Sequence, residues 1–211
     1  MADHSRVKRI ADSFTWPFHG GRTASWTIGV AAVLCLPLGF IPLLGYAIAA
    51  TRAAAEGAHG PPAWTFSARL FRDGCWTALV LAMTLLPFVV ALPPLADALH
   101  DGAIGTVVAI CALALAWGLL ALLVLPHATA AFARSGQPRD LFDFVASLRA
   151  VQQDFGTWNV VVAAIVTAWA IGLASVGLLC VGILPGVFYA ILVSAHAAAA
   201  LQRESSRLPA R

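Results

Sequence analysis

The chain has little charge, and what it has is kept out of long stretches. Of its 211 residues only 11% are Asp, Glu, Lys or Arg, against 60% hydrophobic, whereas soluble domains carry roughly a quarter charged residues. Four runs hold no charge at all: Thr23 to Thr51, Cys75 to Ala96, Gly102 to Ala133 and Thr157 to Gln202, of 29, 22, 32 and 46 residues. With a mean hydropathy of +0.84, this excludes a soluble globule. Cysteine is scarce too. Cys35, Cys75, Cys111 and Cys180 stand in separate apolar segments with no C-x-x-C spacing, which leaves no zinc-ligand pair and no disulfide framework of the kind small secreted chains use. They read as buried thiols packing as small apolar residues. Ser-His-Asp, His-Glu-x-x-His and P-loop arrangements are missing, so no catalytic residue and no metal ligand is assigned, and no cofactor is called. A net charge of +3 gives nucleic-acid binding little support.

What is present is hydrophobic length. A bilayer-spanning helix needs about 20 apolar residues, and every one of the four runs exceeds that. Barrel strands would alternate in polarity over segments of about 10 residues, but Val107 to Leu125 is apolar on every face. The fold class is therefore all-α, a polytopic helical membrane protein. The 46-residue run is too long for one crossing and holds two helices, with a turn placed in Ser175 to Gly186, where Gly177, Gly182, Pro185 and Gly186 concentrate the breakers. Pro93-Pro94 and the polar Asp97, His100, Asp101 and Gly102 separate the second run from the third. The first run, with Pro37, Gly39 and Pro42 near its middle, is either one kinked span or a hairpin of two short arms, possibly re-entrant. As a hairpin it leaves all 13 basic residues on one face, the distribution that marks the cytoplasmic side. The hairpin is the favoured reading, giving about six membrane-embedded segments in three hairpins.

An internal echo points the same way. A shift of 143 lays Trp26 on Trp169, Gly29 on Gly172, Gly39 on Gly182, Pro42 on Pro185 and Tyr46 on Tyr189. Residues 1–22 read as a retained interfacial segment or tail rather than a signal peptide, because the apolar run that follows is longer than a signal's core. Val7, Ile10, Ala11 and Phe14 share a helical face there, and Trp16-Pro17-Phe18 suits headgroup level. Residues 23–203 form a single integral membrane domain, and 204–211 a tail. Two polar linkers join the hairpins. In Arg52 to Gly74 a Gly/Pro turn precedes an aromatic and basic stretch, and in Ser135 to Phe155 the apolar Leu141, Phe144, Val145, Leu148, Val151 and Phe155 recur at helical spacing. Both read as amphipathic helices lying in the interface, bracing the bundle or docking a partner or anionic lipid.

The first linker carries a family resemblance. Gly45-Tyr46, Arg52, Gly57, Pro61-Pro62-Ala63-Trp64 and Leu70-Phe71-Arg72-Asp73-Gly74 are similar to the pattern of the DUF4013 proteins, whose usual form is a Gly-Tyr helix end, a basic residue, a Gly, a Leu-Pro-acid-Trp segment and a Leu-Phe-x-x-Gly close. The motif residues are thus Gly45, Tyr46, Arg52, Gly57, Pro62, Trp64, Phe71 and Gly74. Ser13 to Phe18 resembles the family's beginning, and Phe132, Gly136, Phe142 and Phe144 fit its later half. Pro61 stands where the family tends to have Leu, and Ala63 where it tends to have an acid, so a salt bridge from that position is not available here. The resemblance implies a prokaryotic integral membrane protein of the cytoplasmic (inner) membrane with no assigned activity.

Among the apolar runs, His127 and His196 are the ionisable candidates, since such groups are costly in lipid and often functional. They read as structural histidines bonded to a neighbouring helix, with haem ligation or a proton relay as alternatives. Gly172, Ala174, Ser175, Gly177 and Ala195 to Ala200 permit close helix approach, either within the chain or toward another protein. The function expected is a non-catalytic accessory or scaffold subunit of a larger membrane complex, whose partners are the lipid bilayer and other membrane-protein subunits, not nucleic acid. The alternative is a transporter or lipid-handling protein using the broken hairpins. Absorption spectroscopy separates the histidine roles: a Soret band lost in His127→Ala and His196→Ala establishes haem, and a colourless purified protein, the expected result, removes it.

Overall fold

The computed structural model describes residues 10–19, 23–36, 38–177 and 182–205, the last four residues by their backbone alone. The lysine and arginines of residues 6–9 and 22, Val7, Pro37, residues 178–181 of the expected turn with Cys180, and the expected tail from residue 206 lie outside the described residues. From Thr23 on, the described residues form seven α-helices in order: α1 (Thr23–Leu34), α2 (Phe40–Ala55), α3 (Ala68–His100), α4 (Ile104–Ser135), α5 (Phe144–Gln153), α6 (Phe155–Ala174) and α7 (Ile183–Ser205). There is no strand among the described residues. Among the described residues four helical stretches are long and apolar enough to cross a membrane: α3, α4, Phe155–Gly177 and Ile183–Leu201. The other two apolar helices, α1 and α2, have 12 and 16 residues; at about 1.5 Å per residue each falls short of a hydrocarbon core about 30 Å thick.

Local chemistry sets the boundaries. Pro42 and Pro185 each occupy the third position of their helix, where a missing N–H costs no intrahelical bond. The equivalent prolines of the internal echo therefore start helices rather than kink them. Ser67 caps α3, its hydroxyl accepting from Leu70 N at 3.2 Å, and Asp143 and Asp154 cap α5 and α6 in the same way. At the far end of α4, Gly136 takes φ +68° and its N–H returns to Phe132 O at 2.8 Å, a left-handed cap that glycine adopts without strain.

Three expectations need correcting. The first linker does not form an in-plane helix of its own: residues 58–67 are non-helical, and from Ala68 the basic stretch is simply the opening of α3, because the Ser67 cap starts a helix that runs uninterrupted into the apolar segment. Pro93-Pro94 does not end that helix either, which continues to His100 and reverses only at Gly102, with φ +67°. The thiols of Cys35, Cys75 and Cys111 are exposed on the surface rather than buried; in a helix facing lipid, an apolar residue needs no protein neighbour. The second linker does contain an amphipathic helix. In α5 Ser147 and Val151 face the bundle while Phe144, Val145 and Leu148 stand exposed.

The body is organised around α2 and α7, which pack on each other and draw in α1, α3, α4 and α6. Their interface is aromatic. Trp64 stacks on Tyr46 at 4.0 Å, Tyr46 contacts Phe188, Phe188 meets Trp26 edge-on at 5.3 Å, and Trp26 stacks on Phe18. Small residues set the spacing of the helices. A methyl group on Gly45 would run into Leu70 O, one on Gly74 into Ile41 O, one on Gly29 into the Phe188 ring, and one on Gly172 into Gly186 O. Ala195, Ala197, Ala198 and Ala199 are buried inside the bundle, so the small-residue face of α7 serves contacts within this chain. Residues 10–18 are tucked into the same body: Ile10 packs with Val161 and Leu201, and Trp16 joins the main core.

Replacing Gly45 or Gly74 by Ala forces α2 from α3 at a backbone contact that cannot yield. Each variant is expected to lose about 1–3 kcal/mol, read as a lowered Tm of the detergent-purified protein, while Gly105→Ala, with open space around it, leaves Tm unchanged.

Candidate functional site

The motif residues scattered through the first linker converge on one end of the bundle. Gly45 and Gly74 bring the α2 and α3 backbones into contact, which aligns two sets of partners. Toward the loop, Tyr46 donates its hydroxyl to Pro62 O at 2.9 Å, Ser25 Oγ donates to the same carbonyl at 3.3 Å, and Trp64 Nε1 donates to Ser25 O at 3.0 Å. Trp16 Nε1 donates to Ala58 O at 2.9 Å. The non-helical strap 58–67 is thereby tied down by side chains from three other segments. Gly57, at φ +86°, lets the chain leave α2 into that strap. Phe71 is the exception among the motif residues, lying 45% exposed on the outer face of α3.

Toward α4 the same crossing builds an ionic cluster. Asp73 is 1% exposed. Arg52 Nη2 reaches its Oδ2 at 3.1 Å, Arg72 Nη2 its Oδ1 at 3.1 Å, and Arg69 Nε lies 3.9 Å from Oδ2. Arg52 also donates through Nε to Ala133 O at 2.8 Å, tying α2 and α3 to the last turn of α4. Three guanidinium groups against one carboxylate leave the cluster with two uncompensated positive charges. Arg52 was flagged by the motif, but its partner was missed. The signal was there in Arg69-x-x-Arg72-Asp73, an acid amid arginines at the start of an apolar run, where a lone carboxylate would be too costly to enter a bundle.

One helical turn deeper lies an apolar cavity of about 450 Å³ among α2, α3, α4, α6 and α7, with Thr51, Thr77, Thr129 and Ser194 as its polar lining. Thr51 adjoins Arg52, while Thr77 and Thr129 stand one turn from Asp73 and Ala133. Thr51, Thr77 and Thr129 spend their hydroxyls on carbonyls of their own helices at 2.7–2.9 Å, so the wall they present is methyl.

The histidines go elsewhere. His196 Nδ1 and Ser13 Oγ share a 2.7 Å hydrogen bond, and the His196 ring lies 4.9 Å from that of Trp16. His127 lines a separate hollow with Arg134, Asp140, Asp143 and Ser147, its Nε2 buried without a hydrogen-bond partner. The two rings thus face different surroundings and share no lining. Asp97, His100 and Asp101 stand exposed around the Gly102 turn, and no three metal-ligating side chains gather among the described residues.

The family described as "Protein of unknown function (DUF4013)" matches residues 28–192, a stretch that takes in α2 to α6, the strap and the Arg52–Asp73 cluster. The chain belongs to the DUF4013 family. No curated protein and no solved structure matches it. What the DUF4013 motif residues do in this chain is build a joint: all but Phe71 serve the α2–α3 crossing, the exit from α2, the strap, or the ion pair.

Because Trp64 supplies both the stack and the bond to Ser25, Trp64→Ala is expected to release the strap. Limited proteolysis between residues 58 and 67 then accelerates in the detergent-solubilised protein. Tyr46→Phe, which leaves Pro62 O its second donor, changes cleavage little.

Proposed function

We propose that this protein is a non-catalytic multi-span membrane protein that acts by binding, as an accessory or scaffold subunit of a larger complex in a prokaryotic cytoplasmic membrane. The observation that carries the reading is how unevenly the chain covers its own apolar helices. In the most apolar stretch of α3 and of α4 only 6% is buried, against 44% in α7. The α3–α4 hairpin touches itself where Trp117 Nε1 donates to Thr84 O at 2.8 Å; Met83, Leu86, Val90, Leu92, Leu113 and Leu115 are exposed. Lipid or a partner's helix covers such faces equally well. The interior gives a carrier little to coordinate with: Ser13, Ser25 and Asp73 are buried in bonds between segments of the chain, Thr51 is buried in a bond within its own helix, and of the cavity's hydroxyls that of Ser194 is left without a partner.

In the bilayer we take the chain as three hairpins, α1–α2, α3–α4 and α6–α7, with the first re-entrant and both termini and both linkers cytoplasmic. The Trp16–Ala58 bond supports this, since it joins the chain just before α1 to the chain just after α2. So does the apex, where Leu34, Leu36 and Leu38 are exposed while the N–H groups of Cys35 and Leu36 bond carbonyls of α1 and that of Gly39 bonds Cys35 O, in keeping with backbone in hydrocarbon. The second reading, a lipid-handling protein or transporter, is favoured by the cavity beneath the arginine cluster.

Mild-detergent purification from the native membrane distinguishes the two: a stoichiometric protein partner is expected, and a monodisperse lone protein carrying lipid favours the second reading instead. For the topology, cysteines at Ala58 and Gly102 should label from opposite sides with an impermeant maleimide, and labelling from one side contradicts the three-hairpin arrangement.

A further inference from the structure

The two positive charges left over at the Asp73 cluster have a defined location. Arg52 is spent, with Nε on Ala133 O and Nη2 on Asp73. Arg69 is held only loosely, and Arg72 gives Nε and Nη2 to Asp73 Oδ1, yet their side chains are 57% and 53% exposed. Both turn toward the end of α4. Arg69 Nη2 and Arg72 Nη2 each lie 3.8 Å from the point a Cβ would take on Gly136, with nothing else so near. Two guanidinium groups thus border one point on the α4 cap, where a single phosphate can accept a charge-assisted bond of about 2.8 Å from each. The nearest acid on that loop, Asp140, is bonded by Ser135 Oγ and paired with Arg139, so it does not cancel the pair.

The surroundings say which phosphate. Gly136 closes α4, and Arg69 and Arg72 open α3, so the notch sits where two apolar helices leave the hydrocarbon. Phe66 and Phe71 are exposed beside the arginines, and α5, packed on α4, turns Phe144, Val145 and Leu148 outward. Exposed aromatic and aliphatic side chains at the ends of apolar helices mark headgroup depth, where basic side chains meet anionic lipid. We propose that Arg69 and Arg72, converging over the Gly136 notch, bind the phosphate of an anionic phospholipid. This holds whether the protein is a scaffold or a lipid handler, since it concerns a lipid seated at the surface.

The test uses the full chain, delipidated in non-ionic detergent and titrated separately with phosphatidylglycerol, phosphatidylcholine and inorganic phosphate, with native mass spectrometry and Tm as readouts. Phosphatidylglycerol is expected to bind one to one and raise Tm, the other two not. Arg69→Gln with Arg72→Gln weakens binding about 30-fold, the loss expected for two interfacial basic residues. Gly136→Asn keeps every charge and tolerates the left-handed backbone, yet fills the notch, so it too weakens binding and serves if the double variant fails to fold. Arg149→Gln, on the exposed side of α5, leaves binding unchanged. Equal binding of phosphatidylcholine, equal stabilisation by inorganic phosphate, wild-type binding by Gly136→Asn, or an Arg149→Gln loss as large as that of the double variant overturns the proposal.

Discussion

A carboxylate held at 1% exposure is stable only if its charge is answered where it sits, and at Asp73 the answer comes from two helices at once. Arg72 and Arg69 belong to its own helix; Arg52 arrives from α2 and continues to Ala133 O on α4. Such a pair is not worth much as net stability, because desolvation offsets most of the attraction. Its value is in register. Sliding α3 along α2 by one turn, about 5.4 Å, would strand a buried charge and push the Gly45–Leu70 and Gly74–Ile41 contacts onto residues with side chains. Apolar packing alone does not specify such a crossing in lipid, where every apolar face is equally satisfied.

The aromatic strap follows from that register. With α2 fixed against α3, Tyr46 faces Pro62 and Trp64, and the N-terminal segment closes over them through Trp16. The echo between the two halves acquires a structural meaning as well. Tyr189 donates to Phe14 O at 3.1 Å, just as its counterpart Tyr46 donates to Pro62 O, so each tyrosine anchors a non-membrane segment to the start of a Pro-initiated helix. Seen from this joint, α3 and α4 are held firmly at one end while their apolar middles lie open.

Much of this was legible in the sequence, and what was not has physical reasons. The segregation of charge predicts helices in lipid, and the breakers at 175–186 bracket the gap between α6 and α7. Amphipathic spacing in the second linker corresponds to α5. The first linker misled because its basic and aromatic residues fit an interfacial helix as well as they fit the opening of a long one; the deciding feature is the Ser67 cap, a single hydroxyl. Pro93-Pro94 misled because a proline pair ends a helix in water more readily than in an apolar segment, where local adjustments of the helix tolerate it. The thiols were placed inside because burial was equated with apolar surroundings, which lipid also supplies. Asp73 escaped because its pairing with Arg52 spans 21 positions, beyond any local periodicity.

The claim on which the rest depends is that Arg52 and Asp73 act as one unit setting the α2–α3–α4 joint. A double-mutant cycle with Arg52→Leu, Asp73→Leu and the pair together, followed by thermal denaturation in detergent, tests it directly. Asp73→Leu alone should cost about 3 kcal/mol by stranding Arg52. Arg52→Leu should cost less, because Arg69 and Arg72 still answer the carboxylate, and the double variant should recover part of the Asp73→Leu loss. Strictly additive effects, or an Asp73→Leu protein as stable as the wild type, would contradict the account.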